Sequence, residues 1–382
     1  MTATERTLIE NGRVVTPDRV IEGGYLVISG TRIEAVGRSP TPQEVSSVTR
    51  RIDANGRIVM PGLIDLHGDD IEQQRQPRVE AQVDPSTALV TTDRINLSNG
   101  VTTKFHAIAF EDNPTENRSF EGASEICNEI SNAEYTLGDQ RVHARCELTP
   151  ESVSAVERLT DELPVDLVSV MHHAPGDGQF DEEGFKRHYT ANRNCSTDEI
   201  ETFAAKRRST SQTVLKSQIH RVAELARDRN VPLASHDDEA PATVDTMADL
   251  GVSISEYPIT LGAAIRATDR GLTTVMGAPN LVRGESLWGN LGVRDAIDHE
   301  VVDVLCSDYH PPSLLAAPFV ETGEPLVDRI RRVTAAPAVA AGLADRGRVV
   351  AGNRADVIIV DPHPMPTVGR VFVEGRDVFR AG

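Results

Sequence analysis

A chain of 382 residues that is 39% hydrophobic carries enough apolar content to bury one large core or two smaller ones. Its net charge of −19, with Lys104, Lys186, Lys206 and Lys216 its only lysines, argues against nucleic-acid or anionic-membrane partners and resembles the solvated surface of a protein working at high salt. No apolar run reaches membrane-spanning length, residues 1–7 lack a basic-then-apolar leader, and the four cysteines (Cys127, Cys146, Cys195, Cys306) form no CxxC pair, so a cytoplasmic chain with reduced thiols is expected.

The chain opens with short apolar-rich runs at 8–15, 23–30, 32–37 and 51–54, separated by turn residues. Such spacing predicts a small antiparallel sheet. The same texture returns at 347–350, 355–361 and 371–375. The two ends therefore predict one small β-sandwich domain, made of residues 1–61 and 345–382, with residues 62–344 inserted between them.

The middle alternates strand-like and helix-like segments, the pattern of a parallel sheet with helical crossovers. Candidate strands lie at 63–67, 101–106, 141–147, 167–173, 231–236, 252–256, 273–277 and 301–307, with helical patterns at 120–133 and 213–228 among the segments between them. Eight such repeats predict a distorted (β/α)8 TIM barrel, whose reactive groups gather at the C-terminal ends of the strands. A doubly wound open sheet is the rival, but no GxGxxG or GKS phosphate loop supports a nucleotide fold.

Pro61-Gly62-Leu63-Ile64-Asp65-Leu66-His67-Gly68-Asp69-Asp70 rises out of a Pro-Gly turn and stops at a His-x-Asp pair. Residues two apart on a strand point the same way, so His67 and Asp69 would project together. Later strand-like runs also end in ligand-type residues: Glu147, then His172 and His173, then His236, then Asp308. Of His172 and His173 only one can face the mouth, because neighbours alternate. Each residue alone reads as a helix cap or a satisfied hydrogen-bonder. Converging on one barrel mouth, the set reads as a divalent-metal site, and imidazole plus carboxylate suits Zn²⁺, Mn²⁺ or Fe²⁺ better than Mg²⁺ or Ca²⁺. Lys104 and His106, ending the second strand, are further candidates for the mouth.

Longer strings are more specific: Pro61 through Asp70 with Pro77-Arg78, Arg145-Cys146-Glu147-Leu148, Leu233-Ala234-Ser235-His236-Asp237-Asp238, Val275 through Gly284, and Ser307-Asp308-Tyr309. With these strings the chain resembles the amidohydrolase superfamily, and within it the α-D-ribose 1-methylphosphonate 5-triphosphate diphosphatase branch of the carbon–phosphorus lyase pathway. The resemblance implies hydrolysis of a ribosyl triphosphate to the 5-phosphate and pyrophosphate. It implies His67, Asp69, Glu147, His173 and His236 as ligands of one or two divalent ions, zinc first, and Asp308 as ligand or general base. The chain departs from the branch at His172, where an acidic residue is usual, and around Val83-Asp84-Pro85-Ser86, which lacks an expected histidine.

Arg78 and Arg283 are the arginines expected to grip the polyphosphate, since guanidinium suits bidentate phosphate recognition. Asn280 and Ser286, in the Gly-rich loop around Arg283, are expected to line the substrate site. The implied partner is a small-molecule polyphosphate; association into an oligomer of identical chains is compatible with such a barrel but specified by no residue. The alternative is a metal-dependent amidohydrolase cleaving a C–N bond in an amide, a cyclic urea or a deaminated ring, which would not need two converging arginines. A non-catalytic scaffold is the third reading, and it has no physical use for the ligand set.

Overall fold

The computed structural model describes residues 5–381 apart from 79–80, 114–115, 117, 173–200, 203, 206, 208–209 and 287–288. The chain begins with β1 (Arg6–Val15), β2 (Val20–Ser29), β3 (Arg32–Gly37), β4 (Arg50–Asp53) and β5 (Ile58–Pro61). Next come β6 (Leu63–Gly68), β7 (Val101–Phe110), β8 (Asp139–Glu147) and β9 (Leu167–Met171), then β10 (Leu233–His236), β11 (Ile254–Glu256), β12 (Thr273–Gly277) and β13 (Val304–Cys306). These eight pair in parallel in chain order, as expected of the barrel and not of an open doubly wound sheet. The chain ends with β14 (Val357–Asp361), β15 (Thr367–Val373) and β16 (Arg376–Arg380), which pair through β14 with β5 so that both chain ends build one mixed sheet. No helix among the described residues is long and apolar enough to cross a membrane.

Alternation along the short barrel strands separates packing from chemistry. Ala234, Ile254 and Val275 belong to an apolar cluster inside the barrel with Ile64, Phe105 and Leu167. Two residues further along the same faces stand His236, Glu256 and Gly277, at the C-terminal ends. Helices between the strands cover the outside. Phe120–Asn132 and Gln212–Arg229 match the expected helical patterns, and each starts at a serine (Ser119, Ser211) whose hydroxyl accepts from the backbone N–H of the first turn.

Two expectations need correction. The run at 347–350 forms no strand; Val349 instead packs its side chain into the core of the terminal sheet. The second barrel strand does not stop at His106 but continues to Phe110, because Ala107-Ile108-Ala109-Phe110 prolongs its buried, apolar character. Lys104 and His106 are therefore mid-strand residues below the mouth.

Candidate active site at the barrel mouth

The first and last barrel strands meet without a regular ladder, through a single parallel bridge between Gly68 and Asp308. The Asp308 N–H donates to the His67 carbonyl at 2.9 Å, and the Asp69 N–H donates to the Asp308 carbonyl at 3.1 Å. The bonds that close the barrel are thus the bonds that bring Asp69 beside Asp308. Below them Lys104 Nζ lies 2.6 Å from Asp65 and 2.8 Å from Asp70, and it donates to Ser307 Oγ at 3.0 Å. Gly68 is required there: a Cβ would stand 1.9 Å from Lys104 Nζ.

Above the seam a cavity of about 300 Å³ opens at the C-terminal ends of the strands, lined by His67, Asp69, His236 and Asp308 together with Arg145 and Arg283. Seven of the sequence-derived site residues, His67, Asp69, His236, Asn280, Arg283, Ser286 and Asp308, therefore share one space. Three mouth residues leave their strands in left-handed backbone, Asp237 at φ 59°, Tyr257 at 54° and Asp308 at 55°. For non-glycine residues that conformation costs about 1–3 kcal/mol each, and such strain concentrates at functional sites.

Glu256, which ends the expected strand at 252–256, was not among the predicted ligands, yet it organises the imidazoles. Its carboxylate meets His67 Nδ1 at 3.0 Å and His236 Nδ1 at 3.3 Å. Accepting from both Nδ1–H groups fixes one tautomer and leaves the Nε2 lone pair of each ring for a ligand. Burial acts to raise the Glu256 carboxyl, but His67 and His143 overcome it and hold it well below the usual carboxylate range. Burial pushes the His67 imidazole down from its ordinary value, against the pull of Glu256. The His67 and His236 rings stack with centroids 5.6 Å apart, and Tyr257 closes the pair at 5.1 and 5.2 Å.

His143, also not predicted, sits deeper on β8. Its Nδ1 donates to the Leu66 carbonyl at 3.0 Å, which leaves Nε2 to accept from the Ser169 hydroxyl at 2.9 Å. Burial pushes its pKa down to about 3, so it is neutral. Ligand atoms of His67, His143 and Glu256 lie within 4.8 Å of one another, a spacing compatible with a shared ion. The signal for both was available: a carboxylate at a strand end, and a histidine four residues before Glu147 on the same face.

Asp69 and Asp308 supply the negative charge. Asp69 stands at the N-cap position of the helix Asp70–Arg75 but makes no capping bond, and its buried Oδ1 has no hydrogen-bond partner among the described residues. Burial, with Glu72 and Asp70 nearby, raises its pKa to about 6. Burial and then Asp69 raise Asp308 to about 8. Two carboxylates that share a cavity with His67 and His236 are the oxygen and nitrogen donor types that suit a divalent cation. Glu256→Gln should lower cation affinity by about 10- to 100-fold through loss of imidazole orientation. Elemental analysis after graded chelation reads this, and undiminished affinity would remove Glu256 from that role.

The remaining expectations divide. Glu147 is fully buried, ion-paired with Arg207 and 3.4 Å from His172 Nδ1, and it does not line the cavity. His173 lies outside the described residues. Asn280 and Ser286 line the cavity, but Asn280 also anchors the loop beyond it, accepting from the Val293 N–H at 3.1 Å. Arg78 is exposed and is not among the lining residues. Lys104 is enclosed in the seam, and His106 bonds Gln140 at 2.8 Å with its pKa pushed by burial down to about 4, so neither faces the substrate space. Arg118 and Arg145, which sequence reasoning did not single out, are the other lining arginines.

No family model matches the chain. Over 385 aligned residues it is 30% identical to the alpha-D-ribose 1-methylphosphonate 5-triphosphate diphosphatase of Escherichia coli (strain K12), with 97% of this chain and 100% of that protein covered. A solved amidohydrolase superposes with a TM-score of 0.65 at 18% identity, covering 98% of this chain and 99% of its own. An adenosine deaminase from Xanthomonas campestris with bound zinc superposes at 0.64 with 17% identity, covering 99% of this chain and 94% of its own. These two share the fold, a barrel joined to a sheet from the chain ends. The full-length identity goes further: the chain belongs to the amidohydrolase superfamily, in the family of its Escherichia coli diphosphatase relative.

Proposed function

We propose that this protein hydrolyses α-D-ribose 1-methylphosphonate 5-triphosphate to the 5-phosphate and pyrophosphate. The observation that carries the reading is one cavity in which His67, His236, Asp69 and Asp308 stand with Arg145 and Arg283. The relative covered along its entire length supports the choice of substrate. His67, His236, Asp69 and Asp308 would hold a divalent ion, zinc first with manganese or iron fitting the same donors, and Glu147 and His173 are the candidates for a second. Such an ion supplies Lewis acidity to phosphoryl oxygens and lowers the pKa of water.

The protein's own residues do the rest. Asp308, at the end of the last barrel strand and lining the cavity, takes the proton of the attacking water. The water oxygen bonds to the α-phosphorus as the bond from that phosphorus to the α–β bridging oxygen breaks, and pyrophosphate leaves with the electron pair. Arg283, at the rim and only loosely paired with Glu285 at 3.6 Å, is free to turn onto the leaving group. Arg283→Ala should raise KM for a ribosyl triphosphate about 10-fold or more, the worth of one charge-assisted hydrogen bond, and leave a small phosphate ester nearly unaffected. Equal effects on both would remove Arg283 from the grip. The deciding experiment is a phosphorus-NMR assay of the cation-loaded protein with a ribosyl triphosphate. Pyrophosphate as the product supports the reading; stepwise release of orthophosphate, or no phosphorus chemistry beside hydrolysis of an amide, overturns it.

A further inference from the structure

Most arginines near the mouth are already committed. Arg118 donates to Glu72 at 2.9 and 2.7 Å and to Glu111 at 2.8 Å, and also pairs with Glu116. Arg207 pairs with Glu111 at 2.6 Å and with Glu147. Arg283 stands at the rim with more than a third of its side chain in solvent.

Arg145 differs from all of them. It is only 7% exposed and lines the cavity, yet it makes no hydrogen bond or ion pair with any described residue, and its Nε is buried without an acceptor. Its position follows from the strand. On β8, His143 faces inward and is bonded to Leu66 and Ser169, and Arg145 is one step nearer the mouth on the same face. A buried guanidinium without an anionic partner is costly, so a chain that keeps one aims it at something it binds. It lines the cavity together with His67, Asp69 and Asp308 and, unlike Arg283, is almost wholly enclosed.

We propose that Arg145 is the residue that receives the substrate's phosphoryl group at the reacting centre, gripping non-bridging oxygens through its planar donors while Asp69 and Asp308 face the cation. This deepens the diphosphatase reading and rests on it for the identity of the reacting group. A neutral amide would leave Arg145 uncompensated, so the residue selects for an oxyanion. A phosphoryl group and a carboxylate share the chemistry a guanidinium recognises. The position beside the two aspartates favours the phosphoryl, since a cation there adds attraction for a group of higher charge.

The test is calorimetric titration of the cation-loaded wild type, Arg145→Gln and Arg145→Lys with inorganic pyrophosphate and, in parallel, malonate. The expected result is a loss of pyrophosphate affinity of about 10- to 100-fold in Arg145→Gln, the range for a charge-assisted hydrogen bond. Cation content by elemental analysis should be unchanged, and added guanidinium should restore part of the binding, which a merely structural role would not produce. Arg145→Lys should recover only a minor part, because a point charge lacks the bidentate fork. Unchanged pyrophosphate affinity in Arg145→Gln, or a loss confined to malonate, overturns the proposal. Should the Gln variant fail to fold, Arg145→Lys decides: weakened pyrophosphate binding supports the assignment and wild-type binding overturns it. The wild type separates the two claims. Arg145-dependent pyrophosphate binding without turnover of a ribosyl triphosphate would sink the diphosphatase reading and leave the anion site standing.

Discussion

Asp308→Asn is expected to lower kcat by about 10²- to 10⁴-fold, the usual worth of a positioned general base. The asparagine keeps the size of the side chain and one oxygen acceptor, so the φ of 55° and the backbone bonds to His67 and Asp69 remain satisfied. What it removes is the group that takes a proton. Asp69 keeps its carboxylate, and the asparagine oxygen can still face a cation. Cation occupancy is therefore expected to persist while turnover collapses. Pyrophosphate release and elemental analysis on the same preparation check both halves, and an unaltered kcat with full occupancy would strip Asp308 of the role.

The second large effect is on stability. Lys104→Met is expected to destabilise the fold by about 3–5 kcal/mol, the typical result of removing one partner from a buried charge group. Lys104, Asp65 and Asp70 are all essentially inaccessible, and the lysine is the only cation bonded to either carboxylate among the described residues. Burial would raise Asp70, but Lys104 outweighs it and holds the carboxyl below its ordinary value. Asp70 therefore stabilises the wild type above its unfolded pKa, and that contribution fades as pH falls through the lower folded value. In the variant Asp70 loses its cation while burial still opposes its charge, so its folded pKa moves up and that variant is helped by acid. The gap in denaturation midpoint between the two proteins should narrow below about pH 5. A gap independent of pH would mean that packing, not charge, is what Lys104 provides.

Much of this arrangement is legible in the sequence because a barrel imposes a rule on strand ends. His67, Asp69, His236 and Asp308 each follow an apolar run, and a parallel barrel sends the ends of all such runs to one rim. The rule fails where the end of a run is misjudged. Stopping the second strand at His106 ignored the four apolar residues after it and placed Lys104 and His106 a full layer too high. It also fails for residues whose importance lies in what they lack. Nothing in the string Arg145-Cys146-Glu147 says that Arg118 and Arg207 are consumed by carboxylates from other segments while Arg145 is not. Glu256 ends a strand-like run as the other candidates do, but that its carboxylate joins His67 and His236, from two other strands, is visible only after folding. Arg78 shows the converse: suitable chemistry, but an exposed side chain that does not line the cavity.

The seam through Gly68 and Asp308 also sets a timetable for synthesis. As the polypeptide leaves the ribosome, His67 and Asp69 emerge early and Asp308 only after nearly the whole barrel has been made. Until that last strand docks, the nascent chain offers an incomplete set of donors and no enclosed space for an ion. If the site takes a divalent ion as proposed, its capture would be deferred to the finished molecule, which would guard the half-made chain against trapping whichever metal happens to be abundant.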